Sequence, residues 1–323
     1  MFSFALSEEE RLVQETARRF AQDRLLPGIR AHERARGLPA ALADEFAALG
    51  FDAAGAFAHV LALEELAAAD PGAAVALDAA GLARAFVGER GIVIDDDAET
   101  IVVRNGRVSG TCAWVPADAV ALAVILQPGR ALVVRDGFSL ARVRPCGLAA
   151  AGASRITFDD APVAVTVDDP RALARATARM RTAVAALLTG AARGAHEYAM
   201  RYATERVAFG KPIAHHQALA FLIADLATAV DVARLAVWRA AAALERGADA
   251  AWEAASAFAE AAEQALFVGP NAVQILGGHG FMKDHPVEKW MRDIRTLAQL
   301  AGGRDAAEHA LASLAPAHEI GLA

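Results

Sequence analysis

Apolar residues recur every three to four positions in the first ninety residues, a spacing typical of helices that bury one face. Ser7 and Glu10 form a capping-box pattern at the start of the first helix, and Pro27 interrupts the apolar stripe that follows. Turn-forming residues divide the rest of the region into three further helices. We predict them between residues 39 and 50, between residues 55 and 70, and over residues 73–89.

After residue 95 the spacing becomes that of β-strands. Asn105 and Gly106 separate two short apolar segments, which is the strongest short-range signal for a hairpin. The predicted strands are residues 100–103, 107–109, 119–126, 131–134, 138–143 and 154–158. They predict a small β domain in the middle of the chain.

From residue 169 the helical spacing returns and indicates four long antiparallel helices that form a bundle. One apolar stripe ends at Gly247, and an alanine-rich helix runs from Trp252 toward Val273. The chain is therefore predicted to be mostly α with a small central β domain. The predicted domains are a shortened N-terminal helical domain (1–92), a middle β domain (93–168) and a C-terminal four-helix bundle (169–323).

Composition restricts the classes of function. The formal net charge is −7 and no run is rich in Lys or Arg, which argues against nucleic acid as the main partner. Apolar runs are far shorter than the roughly 20 residues of a membrane span. Cys112 and Cys146 have neither metal-ligand nor redox-pair spacing, and the first ten residues lack the regions of a signal peptide. We expect a cytoplasmic protein without a metal site.

Two stretches interrupt the helical pattern of the C-terminal region. The first is ERVAFGKPIAHHQ at residues 205–217, where a glycine and a proline stop a helix. The second is AVQILGGHGF at residues 272–281, where three glycines leave backbone amides accessible to a ligand. An anion would suit both stretches.

These stretches, with VEKWMRD at residues 287–293, resemble the acyl-CoA dehydrogenase family. The family carries an Arg-x-x-Phe-Gly-Lys-Pro-Ile…Gln motif and, about sixty residues on, Gln-Ile-Leu-Gly-Gly-x-Gly-Phe. Three blocks in the family's order are far more specific than one glycine-rich turn. The resemblance implies the fold of that family, with a middle β-barrel between the helical domain and the bundle.

The resemblance also implies an FAD site shared between two subunits. In the family, these motifs of one subunit hold the pyrophosphate and adenosine of the FAD whose ring lies in the neighbour. The positions carried over to this chain as cofactor-binding residues are Arg206, Phe209, Gln217, Gln274, Gly277 and Gly278. Arg206 would contact the pyrophosphate and Phe209 would pack against the cofactor. The alternative is that these residues only shape the bundle.

Other parts of the family pattern are missing. The Thr-Glu-Pro-x-x-Gly-Ser segment that lines the flavin has no counterpart between residues 80 and 98. Trp114 matches the family's Trp-Ile-Thr/Ser segment, but Pro116 replaces the hydroxyl residue and offers no N–H. The family's general base is a Glu, and its two possible positions are Ala301 and Met180 here. No catalytic residue is therefore predicted, and Arg181 matches a substrate-contacting arginine.

Several other groups could serve as a base by residue type, but none is at a position that the family uses. A solvated helix face, a structural role or a subunit contact is the preferred interpretation of each. These residues are His196, Glu197, His215, His216, His279, Asp305 and Glu308.

The sequence resembles the shortened, base-less subunit of α2β2 acyl-CoA dehydrogenases that act on steroid-derived CoA thioesters. This resemblance implies a larger catalytic partner that binds the acyl-CoA, FAD as cofactor, and electron-transfer flavoprotein as acceptor. Two alternatives stay open. The chain could be a self-sufficient homo-oligomeric enzyme with a non-standard base, or a structural partner that binds no flavin.

Overall fold

The computed structural model describes residues 5–51, 54–95 and 100–314. Parts of the predictions for the segment before residue 98 and for both chain ends lie outside these residues. Helices form the first and last thirds of the described chain, and a sheet lies between them. The predicted fold class, mostly α with a small central β region, is confirmed.

The N-terminal helices follow the capping and turn signals. The Ser7 hydroxyl accepts from the Glu10 N–H, and the Glu10 carboxylate accepts from the Ser7 N–H, so the capping box is present. The helices are α1 (Glu8–Phe20), α2 (Ile29–Ala35), α3 (Ala40–Ala48), α4 (Ala56–Ala69), α5 (Pro71–Ala76) and α6 (Arg84–Val87).

The prediction of one helix over residues 73–89 is wrong. The chain leaves α5 after Ala76, and Asp78 adopts a left-handed backbone with a φ of 53°. The Arg84 guanidinium donates to the Asp78 carboxylate at 3.2 Å and so stabilises the turn before α6. A side-chain ion pair across the turn thus overrides the helical propensity of the alanines.

The central sheet has seven strands in the order β1-β4-β5-β7-β3-β2, and β6 also pairs with β7. The strands are β1 (Ile92–Asp95), β2 (Ile101–Arg104), β3 (Arg107–Val115), β4 (Ala123–Gln127), β5 (Arg130–Val134), β6 (Phe138–Arg142) and β7 (Ser154–Val167). All pairs are antiparallel except β1 with β4. This open sheet is the half-barrel form of the predicted barrel.

The Asn105-Gly106 hairpin is confirmed, because both residues have positive φ and join β2 to β3. β4 begins four residues later than predicted. Leu122 comes just before it and uses its carbonyl to accept from the Ile92 N–H, which starts the parallel pairing with β1. That pairing joins distant segments, so the local pattern could not indicate it.

The C-terminal bundle is built on three long helices, α7 (Pro170–Glu205), α8 (Gln217–Glu245) and α9 (Ala251–Leu276). The predicted fourth long helix is replaced by the shorter α10 (Val287–Leu297), which packs on α7 and α9, followed by α11 (Gly303–Leu314). The glycine-rich turn at 300–303 separates the last two helices. Small side chains let α4, α7 and α9 pack closely around one alanine-rich core.

Two buried carboxylates on α4 fasten the N-terminal helices to the bundle. Glu64 lies 2.8 Å from Arg234 on α8 and 3.3 Å from Arg193 on α7. Glu65 lies 2.8 Å from Arg193 and 2.9 Å from Arg18 on α1. Burial alone would raise the pKa of Glu65, but the two guanidinium groups outweigh it and hold that pKa below its usual range.

Replacing Lys289 should destabilise the fold strongly. Its ammonium group is fully buried and lies 2.6 Å from both Asp70 and Asp293. Lys289→Met leaves two carboxylates buried without their cation, so we expect the free energy of unfolding to fall by about 3–5 kcal/mol. Urea unfolding followed by circular dichroism measures the change.

Lys211→Met is the matched control, because Lys211 is exposed and forms no ion pair among the described residues. Its effect should stay within about 0.5 kcal/mol of wild type. Equal losses in both variants would show that the buried network is not the cause.

Candidate functional site

Residues 205–217 fold into a tight hairpin between α7 and α8. The hairpin pairs β8 (Val207–Ala208) with β9 (Lys211–Pro212). Phe209 and Gly210 both have positive φ, as a two-residue turn of this kind requires. A phenylalanine in that conformation is uncommon and is typical of sites where function constrains the backbone.

The backbone of Arg206 is fixed while its side chain is exposed. Its N–H donates to the Tyr202 carbonyl at 2.8 Å, and its carbonyl accepts from the Ile213 N–H at 2.8 Å. Within the described residues the guanidinium forms no ion pair. Among the described residues, the site therefore presents an exposed cation on a fixed backbone, with its donors directed to the solvent.

Phe209 exposes 95% of its surface, which is unusual for a large aromatic side chain. Its ring meets the edge of the His216 ring at a centroid distance of 6.0 Å. His216 Nε2 in turn lies 3.1 Å from the Ala208 carbonyl. His216 thus supports the hairpin tip, which agrees with a structural role.

The second stretch ends α9 as predicted. Gly277 has φ 57° and ψ −132°, a backbone conformation open to glycine and strongly disfavoured for other residues. Neither Gly277 nor Gly278 has an atom within 4 Å of the position where a Cβ would stand. Their backbone is therefore exposed to an incoming group, whereas Gly280 is buried against the Val273 carbonyl.

Two tyrosines of α7 hold the glycine-rich stretch beside the hairpin. The hydroxyls of Tyr198 and Tyr202 lie 2.8 Å from Nδ1 of His285 and His279, respectively. The two imidazole rings stack with centroids 5.4 Å apart. Because Tyr202 is one turn before Arg206, this contact brings the two motifs to one end of the bundle. The i, i+4 spacing of the tyrosines was the signal that could have indicated it.

The six predicted cofactor-binding residues are all exposed at this end, either in the hairpin or next to it, or in the last turn of α9 and the turn that follows. We call them the motif surface: Arg206, Phe209, Gln217, Gln274, Gly277 and Gly278. Large exposed apolar side chains lie beside it, notably Phe281 with 75% of its surface exposed. Such a concentration of exposed apolar area is typical of a surface that binds a partner or ligand.

The segment that matches the flavin-ring side of the family lies elsewhere. β3 ends at Val115, and Pro116 lines a cavity of about 530 Å³ together with Ala117 and Leu300. Pro116 can donate no hydrogen bond there. None of the residues that line this cavity belongs to the motif surface.

The expected base positions hold no ionisable group. Ala301 is 8% exposed and lies in the turn Leu300–Gly302, with a φ of 57°. Met180 is buried inside α7. Both positions therefore provide packing and no proton acceptor.

A carboxylate from β1 nevertheless lies beside Ala301. A Cβ on the neighbouring Gly302 would collide with the Asp95 carboxylate. Asp95 also attracts Arg181, whose guanidinium donates to the Ala306 carbonyl at 3.2 Å. Burial lowers the pKa of Arg181, and Asp95 only partly offsets that effect. Arg181 further lines an apolar cleft of about 370 Å³, so its role as a substrate contact stays a prediction.

The other ionisable candidates occupy unremarkable surroundings. Burial lowers the pKa of His196, and Glu197 is exposed at 3.8 Å from Arg193. Glu308 is paired with Arg304 in α11. Among the described residues, no group of three or more His, Cys, Asp or Glu could hold a metal ion. The same part of the chain contains no helix long and apolar enough to cross a bilayer.

Comparison with known families agrees with the arrangement of helices and motifs. Residues 171–312 match the family described as Acyl-CoA dehydrogenase, C-terminal domain, and residues 7–87 match Acyl-CoA dehydrogenase, N-terminal domain. Together the two matches cover more than half of the chain. The chain belongs to the acyl-CoA dehydrogenase family.

Curated relatives of this acyl-CoA dehydrogenase family member match over about a third of their length. An acyl-CoA dehydrogenase of Bacillus subtilis is 41% identical over 115 residues, which are 36% of this chain and 30% of the relative. The caffeyl-CoA reductase-Etf complex subunit CarC of Acetobacterium woodii is 39% identical over 122 residues, 38% of this chain and 32% of that protein.

Solved structures of the family share the fold over nearly the whole chain. Butyryl-CoA dehydrogenase from Megasphaera elsdenii aligns with a TM-score of 0.83 at 21% identity, covering 98% of this chain and 100% of that one. A glutaryl-CoA dehydrogenase from Mycobacterium smegmatis, in complex with FADH2, aligns with a TM-score of 0.82 at 17% identity, covering 98% and 97%. At these identities the likeness establishes the fold alone.

The two exposed glycines of the motif surface should respond differently to substitution. Both have open space for a methyl group, but only Gly277 has the φ and ψ that disfavour an L residue. Gly277→Ala should cost roughly 1–3 kcal/mol of unfolding free energy, whereas Gly278→Ala should be neutral within about 0.5 kcal/mol. Thermal and urea unfolding measure both. If Gly277→Ala were as stable as Gly278→Ala, the turn could relax without glycine.

Proposed function

We propose that this chain is a non-catalytic, FAD-sharing subunit of a flavin-dependent acyl-CoA dehydrogenase complex. It contributes the adenosine and pyrophosphate half of the FAD site to a larger catalytic partner. One contrast supports the proposal: all six residues of the motif surface are exposed, whereas the base positions Ala301 and Met180 are apolar and buried.

The residues of the motif surface fit the anionic half of FAD. Arg206 offers an exposed guanidinium, which binds a pyrophosphate with charge-assisted hydrogen bonds. Gly277 and Gly278 leave open space where a side chain would block the approach of a phosphate. Gln274 and Gln217 add exposed amides, and the free face of Phe209 can pack against the adenosine.

The ring half of an FAD site has less support in this chain. Pro116 stands where the family uses a hydroxyl residue, and it can donate no hydrogen bond. The position where most family members carry the catalytic Glu is Ala301 here. When bound, FAD accepts a hydride from the β-carbon of an acyl-CoA thioester. In the proposed complex the partner provides the base that removes the α-proton and binds the acyl-CoA. The family branch that the sequence resembles acts on steroid-derived CoA thioesters.

The proposed assembly is an α2β2 heterotetramer that passes electrons to electron-transfer flavoprotein. Val207, Phe209 and Phe281 expose apolar area around the motif surface, and a partner subunit would cover it. The relative from Acetobacterium woodii is named as a subunit of a complex with Etf, which is consistent with such an acceptor.

One observation favours a second candidate, a self-sufficient homo-oligomeric dehydrogenase. The Asp95 carboxylate lies beside Gly302, next to the expected base position, and Asp95 could act as a substitute base. Arg181 interacts electrostatically with Asp95, so a positive charge lies near this candidate base.

Flavin content separates these functions. The chain purified alone should be colourless and inactive, because half of the FAD site provides only part of the binding energy of the cofactor. Co-expressed with a catalytic partner, it should form a heterotetramer with two FAD, measured by mass and flavin absorbance. Four FAD per tetramer would mean that this chain also binds a ring. One flavin per isolated chain, with turnover that Asp95→Asn abolishes, would favour the homo-oligomeric enzyme.

Two substitutions in the purified complex test the division of labour. Arg206→Ala removes a charge-assisted hydrogen bond of roughly 1.5–3 kcal/mol, so FAD affinity should fall about ten- to a hundred-and-fifty-fold and activity with it. Ala301→Glu restores a carboxylate where no flavin ring is bound, so turnover should not change. FAD titration and steady-state kinetics measure both variants.

Arg104→Ala is the control for Arg206→Ala, because Arg104 is an exposed arginine at the end of β2, away from the motif surface. Full flavin content and a full turnover rate in the Arg206→Ala complex would contradict the shared-site proposal. A purely structural partner would then be the better account. A change in turnover with Ala301→Glu would instead indicate a reaction within this chain.

A further inference from the structure

A cleft of about 730 Å³ opens between three segments that are distant in sequence. They are the C-terminal end of α2, the segment 144–149 after β6, and the residues around the start of α10. The cleft shares no residue with the motif surface, so the proposed FAD site does not account for it. Its volume is in the range of small-molecule sites.

Four charged side chains form a closed ring at the floor of the cleft. Arg30 contacts Glu33 and Glu288, each at 2.7 Å. Arg292 contacts the same two carboxylates at 2.6 and 2.7 Å. The side chains are only 11–23% exposed, and the ring has no net charge. The two carboxylates are therefore neutralised and do not make the cleft repel anions.

The rim of the cleft is basic. Arg34, Arg36, Arg144 and Lys283 are exposed on it, and no ion pair involves any of them within the described residues. The one carboxylate among them is Asp284. The rim thus has a net charge of +3 in a chain whose formal charge is −7. Concentrated positive charge of this kind opposes the overall charge and attracts anions.

The floor ring also fixes the backbone that supports the rim. The Arg30 guanidinium donates to the carbonyls of Lys283 at 2.9 Å and His285 at 2.7 Å. Arg292 donates to the Cys146 carbonyl at 2.5 Å. The segments that bear Lys283 and Arg144 are therefore held before any ligand arrives, which lowers the entropic cost of binding.

Helix dipoles do not account for all four rim cations. Arg34 and Arg36 end α2, where a cation gains about 0.3–1 kcal/mol from the helix dipole. Arg144 and Lys283 come from two other segments that do not end a helix. Four unpaired cations from three segments that line one concave surface raise its positive potential, which attracts anions.

We propose that this basic cleft binds a ligand that carries a diphosphate group. A diphosphate has two to three negative charges in a compact volume, which matches the net charge of the rim. Three of the four rim cations are arginines, whose planar donors suit phosphate oxygens. Free pyrophosphate and a nucleoside diphosphate share this chemistry. A long nucleic acid is not the expected ligand, because the formal net charge of the chain is −7 and its sequence has no run rich in Lys or Arg.

Calorimetric titration of the full chain with inorganic pyrophosphate, phosphate and ADP tests the proposal. Pyrophosphate should bind at least about tenfold more tightly than phosphate, because two phosphoryl groups engage more of the rim. ADP equal to pyrophosphate would mean that only the diphosphate is recognised, whereas tighter ADP binding would add contacts to the nucleoside. Either result supports the site, and no binding of any of the three at about 10 mM overturns it.

Matched variants locate the binding. Arg34→Gln/Arg144→Gln should weaken pyrophosphate at least about tenfold. Arg19→Gln/Arg104→Gln removes the same charge from exposed positions outside the cleft and should change affinity less than about twofold. Equal losses in the two double variants would indicate diffuse electrostatics and overturn the cleft site.

Arg206→Ala distinguishes the cleft from the proposed FAD surface. Because Arg206 does not line the cleft, Arg34→Gln/Arg144→Gln should weaken pyrophosphate binding by the same factor in the Arg206→Ala chain as in the wild-type chain. If Arg206→Ala abolished binding while the cleft variant kept it, the diphosphate would be bound at the motif surface and the cleft proposal would fail. The shared-FAD proposal is independent of this result, because it is judged by flavin in the complex.

Discussion

The buried ion cluster around Lys289 is the constraint on which the rest of the structure depends. Its ammonium group bridges Asp70, at the start of α5, and Asp293, one turn later in α10. Asp293 also accepts from the Leu148 N–H at 2.7 Å, and His32 of α2 lies 3.4 Å from Asp70. One buried cation therefore joins the N-terminal helices, the segment between β6 and β7, and the bundle. Its removal would leave all three without their common anchor.

The charges in this cluster are asymmetric. Burial alone would raise the pKa of Asp70, but Lys289, His32 and the Ala73 N–H hold it below its usual range. Burial and the nearby negative charge of Asp70 instead raise the pKa of Asp293. The two carboxylates thus share one cation unequally, and Lys289 itself stays protonated because both attract it, although burial opposes its charge. The position of α10 then fixes His285, which precedes it, and Glu288 and Arg292, the two members of the floor ring that it carries.

Local signals in the sequence predicted the parts of the fold that local physics decides. The capping box at Ser7, the Asn105-Gly106 turn and the end of α9 at Gly277 all depend on a few neighbouring residues. The helix over residues 73–89 failed because an ion pair between Arg84 and Asp78 stabilises a turn. The rim and floor of the basic cleft were not predictable, since Arg30 and its partner Glu288 are 258 positions apart. The local hydrophobic pattern carries no information about a contact between residues so far apart in the sequence.

A site divided between chains has a thermodynamic consequence that a complete site lacks. If Arg206 and the glycines of the motif surface supply only half of the contacts to FAD, neither subunit alone provides the full binding energy of the cofactor. FAD then binds the assembled complex far more tightly than the free chains, and by linkage it stabilises the assembly by the same factor. Under the proposal, a chain can keep residues that contact the adenosine while it lacks a base. The adenosine contacts would affect assembly and FAD affinity, whereas a base affects only the chemical step. The exposed Phe209 fits this view, because a side chain that gains its packing only in the complex contributes to binding and not to folding.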